Sequence, residues 1–337
     1  MTLKILKPGM LTTIQDLGRV GYQKYGVVAS GVMDSYAARL ANLLIGNDEN
    51  AAVMDMTMIG PSIEFQEDTL ISICGGDLAA VIDDERVPLW RPLIIKSGSR
   101  LRFGNAKSGC RAYLSVVGGI SVSEVMESSS TDLRAAIGGY KGRKIKSGDE
   151  ISIHQPDPIR GTRIKSLLQN ITTKSFIPLP WYVSENSLPA YQSRVVIRVM
   201  KGREFELFQD ESITSLLSNT FTIHPQSDRM AYRLNGSQIQ LKSELNMISE
   251  TVTMGTIQVP PDGFLRILLA DRQTTGGYPR IAQVATVDLP LIAQLKPGDS
   301  LIFQEITLEE AETLYLQQEK DIHILKQMIS ERWKRGE

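Results

Sequence analysis

The chain has 337 residues, with 37 Lys and Arg against 38 Asp and Glu, which gives a formal net charge of -1. At about 150 residues per domain this length predicts two domains, and 42% hydrophobic with 22% charged residues excludes a disordered chain. The balanced charge argues against a nucleic-acid-binding surface, which needs a basic excess, and gives no reason to expect a membrane as a partner.

Cysteine and histidine usage exclude further classes. Cys74 and Cys110 form no CxxC pair, which favours a reducing compartment. None of the three histidines lies near a cysteine or a second histidine in the sequence, so we expect no zinc or iron site. No apolar stretch has the length of a signal peptide h-region or a membrane span. These features predict a cytoplasmic protein.

The predicted elements are mostly strands. The first predicted helix covers residues 34–45, with Asp34 as N-cap and Gly46 just past its end. Short β-rich runs bounded by turn residues follow at 70–74, 79–82, 111–117, 195–200 and 265–269, a spacing typical of barrels or sandwiches. A short helix is predicted over 288–295, and a capping box at Thr307 and Glu310 opens a C-terminal helix that runs past Trp333.

Prolines mark a boundary between the two halves of the chain. Pro178, Pro180 and Pro189 fall within residues 171–189. Proline blocks regular strand ladders and helices, so this segment is predicted to be a linker.

Four segments of the first half recur in the second half, in the same order and at a nearly constant offset. Residues 3–9 resemble 197–202, 30–40 resemble 227–234, 56–60 resemble 251–255, and 96–103 resemble 296–303. A repeat of this length indicates a duplicated domain rather than a solenoid unit. We therefore predict a first β domain over 1–165, a proline-rich linker over 166–193, and a second β domain with the C-terminal helix over 194–337. Residues 146–153 echo the last pair as well, which leaves the alignment of that strand open.

Several common catalytic motifs are absent. The sequence has no GxxxxGK[ST], no GxGxxG after a strand and no GxSxG. This disfavours an enzyme that hydrolyses a nucleotide on its own.

The densest polar string, residues 271–280, directly follows a predicted strand. Arginine binds carboxylate or phosphate through two parallel bonds, and glycines let backbone N–H groups approach an anion. Asp271 is a candidate general base or a partner that orients Arg272. The substrate-binding candidates of the same string are Gln273, Thr275, Gly276, Gly277 and Tyr278. The alternative is a polar turn with an internal Asp–Arg pair.

Three further groups are weaker candidates. Asp228 and Arg229 either contact substrate or form a helix N-cap with an exposed arginine. Asp16 and Arg19 lie in a glycine-bearing polar loop that is equally compatible with a plain turn. Glu250 precedes a predicted strand and is either catalytic or solvated. The basic run 141–146 is interpreted as a solvated hairpin, with a phosphate contact as the alternative.

These segments resemble a known family. Residues 12–19, 30–34, 60–65, 227–230, 255–260 and 271–279 are similar to the allophanate hydrolase subunit 2, or biotin-dependent carboxyltransferase-like, family. The resemblance extends to the C-type subunits of 5-oxoprolinase, including the Bacillus-type antagonist of a sporulation-kinase inhibitor. It implies two tandem cyclophilin-like β-barrel domains with few short helices and a C-terminal helix.

The same resemblance implies a function. A C-type subunit would act with partner subunits A and B, the B-type subunit being the kinase-inhibitor homologue, to open 5-oxo-L-proline to L-glutamate with ATP shared among the subunits. The alternatives are a non-catalytic protein that antagonises a kinase inhibitor and a biotin-dependent carboxyltransferase acting on a urea-like amide. No Met-Lys-Met motif occurs, so no biotin is expected on this chain.

The chain departs from the family pattern at two places. Residues 127–131 read Glu-Ser-Ser-Ser-Thr where the family usually has Gly-Ser-Arg-Ser-Thr, and Ala231 stands where the family has glycine. The first change removes an arginine from a loop that would otherwise be a candidate anion contact.

Overall fold

The computed structural model describes residues 1–169 and 174–335, which form two compact units. The first unit consists of Met1–Arg19, Asp34–Pro189 and Asp321–Glu337. The second unit consists of Val20–Met33 and Ala190–Lys320. Each unit therefore contains a segment that is remote in sequence from its main part.

The first unit has two six-stranded sheets around one core. Its strands are β1 (Thr2–Lys7), β2 (Leu11–Gln15), β3 (Val53–Thr57), β4 (Ser62–Phe65), β5 (Thr69–Asp77), β6 (Val81–Ile82), β7 (Glu85–Arg86), β8 (Pro92–Ile95), β9 (Arg100–Arg102), β10 (Ser108–Val116), β11 (Glu150–Ser152) and β12 (Phe176–Pro178). The strand orders are β11-β1-β4-β9-β6-β7 and β12-β8-β5-β10-β3-β2. Leu3, Ile63 and Leu101 of one sheet join Ile73 and Leu114 of the other in a buried cluster.

The second unit contains a closed seven-stranded barrel. The strands of this unit, seven of which form the barrel, are β13 (Arg194–Lys201), β14 (Phe221–Ile223), β15 (Ala231–Asn235), β16 (Glu250–Thr251), β17 (Thr256–Gln258), β18 (Arg266–Leu268), β19 (Thr275–Gly276), β20 (Arg280–Val284) and β21 (Ser300–Glu305). The barrel order is β13-β20-β17-β18-β15-β14-β21, closed by the parallel pairing of β21 with β13. Strands β16 and β19 form a separate two-stranded ribbon, which carries part of the polar string.

The described part of the chain contains five α-helices, which are α1 (Ser35–Leu44), α2 (Pro158–Gln169), α3 (Asp210–Ser218), α4 (Leu289–Ala293) and α5 (Leu308–Arg335). Helix α1 confirms its predicted ends: Asp34 accepts from the N–H of Ala37 at 2.9 Å, and Gly46 has a φ of 72° just past the helix. Helix α5 confirms the predicted capping box, because the N–H of Thr307 donates to Glu310 at 2.7 Å and the N–H of Glu310 donates to Thr307 at 3.2 Å. No helix of the described residues is long and apolar enough to cross a bilayer.

The mainly β fold with few helices and a C-terminal helix is confirmed. The division of the chain into two units differs from the predicted domain boundaries at residues 165 and 194. Met33 lies in the core of the second unit, whereas Ile322, Ile329 and Trp333 belong to the first unit, where they are buried. The strands of the first unit are arranged as two sheets, while those of the second close into a barrel.

The proline-rich segment is predicted to lack regular structure, but it contains a strand. Residues 170–173 lie outside the described residues, but Phe176–Pro178 forms β12, paired antiparallel with β8. Strand β12 is at the edge of its sheet, and an edge strand tolerates proline because one side of its backbone needs no partner.

The repeat has a mixed outcome. Gly98, Gly148 and Gly298 occupy the same position in three similar turns, with φ of 84°, 85° and 91° respectively. Each donates its N–H to a strand carbonyl, those of Phe65, Ile5 and Ile223 respectively. The match of 30–40 with 227–234 is wrong as a structural equivalence, because the first segment leads into helix α1 and the second into strand β15. The Tyr and Arg-Leu residues of the two segments are also spaced differently, since two residues separate Tyr36 from Arg39 and none separates Tyr232 from Arg233.

Candidate functional site

The register of β15 and β18 brings Arg229 and Asp271 together in the second unit. Ala231 pairs with Leu268, so the residues that flank these strands meet, and the N–H of Asp271 donates to the carbonyl of Arg229 at 2.9 Å. The Arg229 side chain donates to both carboxylate oxygens of Asp271, Nε at 2.9 Å and Nη2 at 3.1 Å. This is the two-pronged geometry that gives an Arg–carboxylate pair its strength.

Arg229 also holds a remote segment of the same unit. Its Nη2 donates to the carbonyl of Gly31 at 2.5 Å, and the residue is only 5% exposed. A guanidinium engaged in this way by Asp271 and Gly31 orients its neighbours. The sequence prediction that Arg229 contacts substrate stays a prediction, and the geometry favours a positioning role.

Arg272 has no carboxylate partner among the residues that the structure describes. Its Nε donates to the carbonyl of Val252 at 3.3 Å and its Nη1 to the carbonyl of Leu269 at 3.4 Å, both at the long end of hydrogen bonding. Burial lowers the pKa of this guanidinium from its ordinary value. A half-buried cation without a counter-charge is stabilised by an incoming anion, so Arg272 is the best-placed anion contact of the polar string.

Glu250 is part of an ion cluster. Its Oε2 accepts from Nη1 of Arg203 and from Nη2 of Arg280, each at 2.7 Å. Arg280 also donates to both oxygens of Glu204, at 2.8 and 2.7 Å. Hydrogen bonds from Arg280 lower the pKa of Glu204, and those from Glu204 raise the pKa of Arg280. Glu250 is thus committed to two arginines in this structure, which does not favour its predicted catalytic role.

The remainder of the polar string extends away from Asp271. Thr275 and Gly276 form β19 opposite β16, while Gln273 is exposed. A Cβ at Gly276 would lie 2.5 Å from Nε2 of Gln258, so a larger residue here would displace the end of that side chain. Gln258 donates to the carbonyl of Tyr278 at 3.3 Å, a contact that sequence reasoning missed because it joins residues 20 apart.

Gly277 and Tyr278 line a cavity of about 760 Å³ within the second unit. The lining consists of residues 238–241, 243–247, 259–263 and 277–279. It combines amide, hydroxyl, proline and aliphatic groups with the carboxylates of Glu244 and Asp262, and contains no lysine or arginine. The cavity therefore disfavours a polyanion, because its charged side chains are negative.

Asp228 acts in a turn. It is exposed, and its Oδ1 accepts from the N–H groups of Met230 at 2.8 Å and Ala231 at 3.2 Å. The predicted alternative of a cap is therefore closer to the structure than a substrate contact, although the cap closes a turn before β15 and not a helix.

Asp16 and Arg19 belong to the first unit, so the structure groups them apart from the polar string. Asp16 is buried and accepts from the hydroxyls of Ser128 at 2.8 Å and Ser130 at 2.5 Å and from the N–H of Ser129 at 2.6 Å. These serines are the loop in which the chain departs from the family pattern. Asp16 thus fixes that loop, a role that the alternation of polar and glycine residues around it did not reveal.

Residues 25–305 match the family described as the carboxyltransferase domain, subdomains A and B. The chain is 33% identical to the 5-oxoprolinase C subunit of Haemophilus influenzae, over 98% of this chain and 99% of that protein. It is 36% identical to the 5-oxoprolinase C subunit of Escherichia coli, over 92% of this chain and 93% of that protein.

A solved structure shares the fold. The K. lactis urea amidolyase has a TM-score of 0.86 and 31% identity over 96% of this chain, but this chain spans only 20% of that much longer protein. The resemblance read from the sequence is thereby confirmed, and the chain belongs to the carboxyltransferase domain family with subdomains A and B.

Proposed function

We propose that this chain is the C-type component of an ATP-dependent 5-oxoprolinase, which opens 5-oxo-L-proline to L-glutamate together with subunits A and B. The observation that carries the proposal is the end-to-end match to two 5-oxoprolinase C subunits, at 33% and 36% identity. The match to urea amidolyase, by contrast, covers one segment of a multi-part chain. Cys74 and Cys110 are buried and form no disulfide, which supports a cytoplasmic location.

In this proposal Arg272 binds the anionic group of the substrate. Its guanidinium lacks a carboxylate partner among the described residues, and its two existing bonds to carbonyls are long enough to exchange for a stronger charge-assisted contact. Asp271 and Arg229 act as positioning residues, since their mutual pair fixes the chain just before Arg272. The N–H groups of Gly277 and Tyr278, at the rim of the cavity, are proposed to face the polarised lactam oxygen.

We propose that the nucleotide binds to the partner subunits and not to this chain. When bound, ATP supplies the activation of the lactam oxygen by phosphorylation. The cavity of the second unit has no lysine or arginine in its lining to receive a triphosphate. We therefore assign nucleotide binding to subunits A and B, with the B-type subunit the kinase-inhibitor homologue, and expect the isolated chain to release no glutamate from 5-oxoproline.

The test is Arg272→Lys in the complex reconstituted from all three proteins. Lysine keeps the charge but loses the planar fork, so a bidentate contact costs about 2–5 kcal/mol of transition-state stabilisation, or roughly 30-fold or more in kcat/KM. Arg100→Lys is the matched control, because Arg100 pairs with Glu64 at the surface of the first unit and neither residue lines the cavity. Turnover of Arg272→Lys equal to that of the control, with both complexes folded, contradicts this role for Arg272.

A second candidate function is carboxyl transfer to a urea-like amide. It is favoured by the fold shared with urea amidolyase. The two functions separate in one assay with the purified complex. Glutamate release from 5-oxoproline that depends on ATP and is independent of an added biotin-carrier protein supports the first, whereas carboxylation of urea that requires such a carrier supports the second.

A further inference from the structure

A glycine-rich loop of the first unit lies beside a second cavity, of about 630 Å³. The lining consists of Ser121, Val122, Ser123, Val125 and residues 136–142. None of these residues is acidic, and one, Lys141, is cationic and exposed. Glu124 and Glu127, on the neighbouring segment, are solvent-exposed. The electrostatic character of the cavity is therefore set by Lys141 and by what lies behind the loop.

Behind the loop lies the guanidinium of Arg19, which is fully buried. Its Nε donates to the carbonyl of Val125 and its Nη2 to the carbonyl of Ser130, both at 2.8 Å. Its Nη1 is buried and has no hydrogen-bond partner among the described residues. Arg19 also forms no ion pair within the described part of the chain. A buried cation with an unused donor is costly unless a negative charge satisfies it.

Arg19 is adjacent to the cavity wall. Val125, which accepts from Nε, is one of the lining residues. Gly138 is another, and a Cβ at this position would lie 2.7 Å from Nη2 of Arg19 and 2.1 Å from the carbonyl oxygen of Ser130. Only glycine permits the loop to approach the guanidinium this closely.

The loop backbone adds donors. Gly138, Gly139, Lys141 and Gly142 all have positive φ, of 65°, 52°, 58° and 64°. The N–H of Gly139 donates to Ser129 and that of Gly142 to Gly138. The N–H groups of Gly138, Tyr140 and Lys141 donate to no acceptor among the described residues. Successive N–H groups in such turns form concave anion-binding surfaces, and the unusual φ of Lys141 is retained at a cost.

We propose that this loop and Arg19 form a binding site for a small oxyanion, a carboxylate or a phosphate group. Its oxygens would accept from free N–H groups of the loop and, once the loop shifts to uncover this buried atom, from Nη1 of Arg19, with Lys141 in the lining of the same cavity. Asp16 would be a positioning residue, because it fixes the Ser128–Ser130 segment on which Arg19 rests. The proposal does not depend on the proposed function, since it concerns binding by this chain alone.

The experiment is calorimetric titration of the purified full chain, without partners or ATP. The probes are inorganic phosphate, 5-oxoproline, L-glutamate and 2-pyrrolidinone, which is the uncharged analogue of 5-oxoproline. We expect the anions to bind in the millimolar range or tighter, with affinity falling as salt is raised, and 2-pyrrolidinone not to bind at this site. Binding of phosphate alone identifies a phosphate site, and binding of the two acids alone identifies a carboxylate site.

Two variants assign the binding to this loop. Arg19→Lys loses the unused fork nitrogen and should weaken anion binding at least about tenfold. Lys141→Gln removes an exposed charge and should weaken it about two- to fivefold. Lys165→Gln, at an exposed position of helix α2, is the matched control and should leave binding unchanged.

Lys141→Gln keeps the test decisive if Arg19→Lys does not fold. The proposal is wrong if none of the anions binds. It is also wrong if Lys141→Gln, like the Lys165→Gln control, leaves anion binding unchanged. Failure of turnover in the complex with both partners, with anion binding intact, would count against the proposed function only.

Discussion

Loss of the Asp271 carboxylate should destabilise the second unit strongly. In Asp271→Asn the shape of the side chain is kept, but the guanidinium of Arg229, whose side chain is 6% exposed, loses the negative charge that its Nε and Nη2 contact. Removing one partner of a buried pair costs about 3–5 kcal/mol. Asp271 itself is 18% exposed, so water can partly compensate, and we expect about 3 kcal/mol. For 337 residues that unfold together, this corresponds to a fall in Tm of roughly 4 °C.

A double-mutant cycle measures the interaction free energy between Arg229 and Asp271 apart from the contributions of the two individual side chains. Arg229→Met with Asp271→Leu removes both charges together, so the combined loss should be smaller than the sum of the single losses by about 1–3 kcal/mol. Urea unfolding followed by circular dichroism gives the free energies, and hydrogen exchange at the N–H of Asp271, which donates to Arg229, localises the effect. Asp262→Asn, in a half-exposed ion pair, is the control and should cost less than about 1 kcal/mol. Strict additivity of the two substitutions would refute the reasoning that these side chains stabilise the unit as a pair.

Two further predictions concern buried carboxylates. Arg280 lowers the folded-state pKa of Glu204. The stability that Glu204 contributes is therefore present at pH values above its ordinary pKa of 4.5 and is lost as the pH falls through the lower folded-state pKa. Urea unfolding between neutral and acid pH should show this loss of stability, and Glu204→Gln should show a smaller loss. Asp16→Asn weakens the charge-assisted bonds to Ser128, Ser129 and Ser130 and should cost about 3 kcal/mol in the same assay, against less than about 0.5 kcal/mol for Asp84→Asn at the surface; equal effects of the two would show that Asp16 does not hold the serine loop.

Features encoded by neighbouring residues could be predicted from the sequence. The ends of α1 follow from Asp34 and Gly46, and the start of α5 follows from the capping box, because each cap involves residues within four positions of one another. The turns at Gly98, Gly148 and Gly298 were recognisable for the same reason. The mainly β composition followed from strand runs with turn signals between them.

Features that depend on pairing between distant parts of the chain could not be predicted from the sequence. Arg229 and Asp271 were both singled out, but their bond depends on the register of β15 with β18, which no local pattern specifies. The interaction of Glu250 with Arg203 and Arg280 likewise joins residues 47 and 30 positions apart. Strand β12 was missed because proline was weighed without knowing that this strand lies at a sheet edge. In each case tertiary context decided the role of a residue whose type had been noted.

The composition of the two units bears on how the chain folds during its synthesis. Met33 leaves the ribosome early, yet the cluster that buries it also includes Phe303. At about 5–20 residues per second, roughly 15–55 s separate the synthesis of these two residues. The first unit differs, because its buried cluster contains no described residue beyond Phe176, and only later does the indole of Trp333 donate to the carbonyl of Leu44 at 3.2 Å and pack edge-on against Trp181. The second unit therefore completes its core only when most of the chain has been made, and its early segment, residues 20–33, stays without its packing partners during that interval.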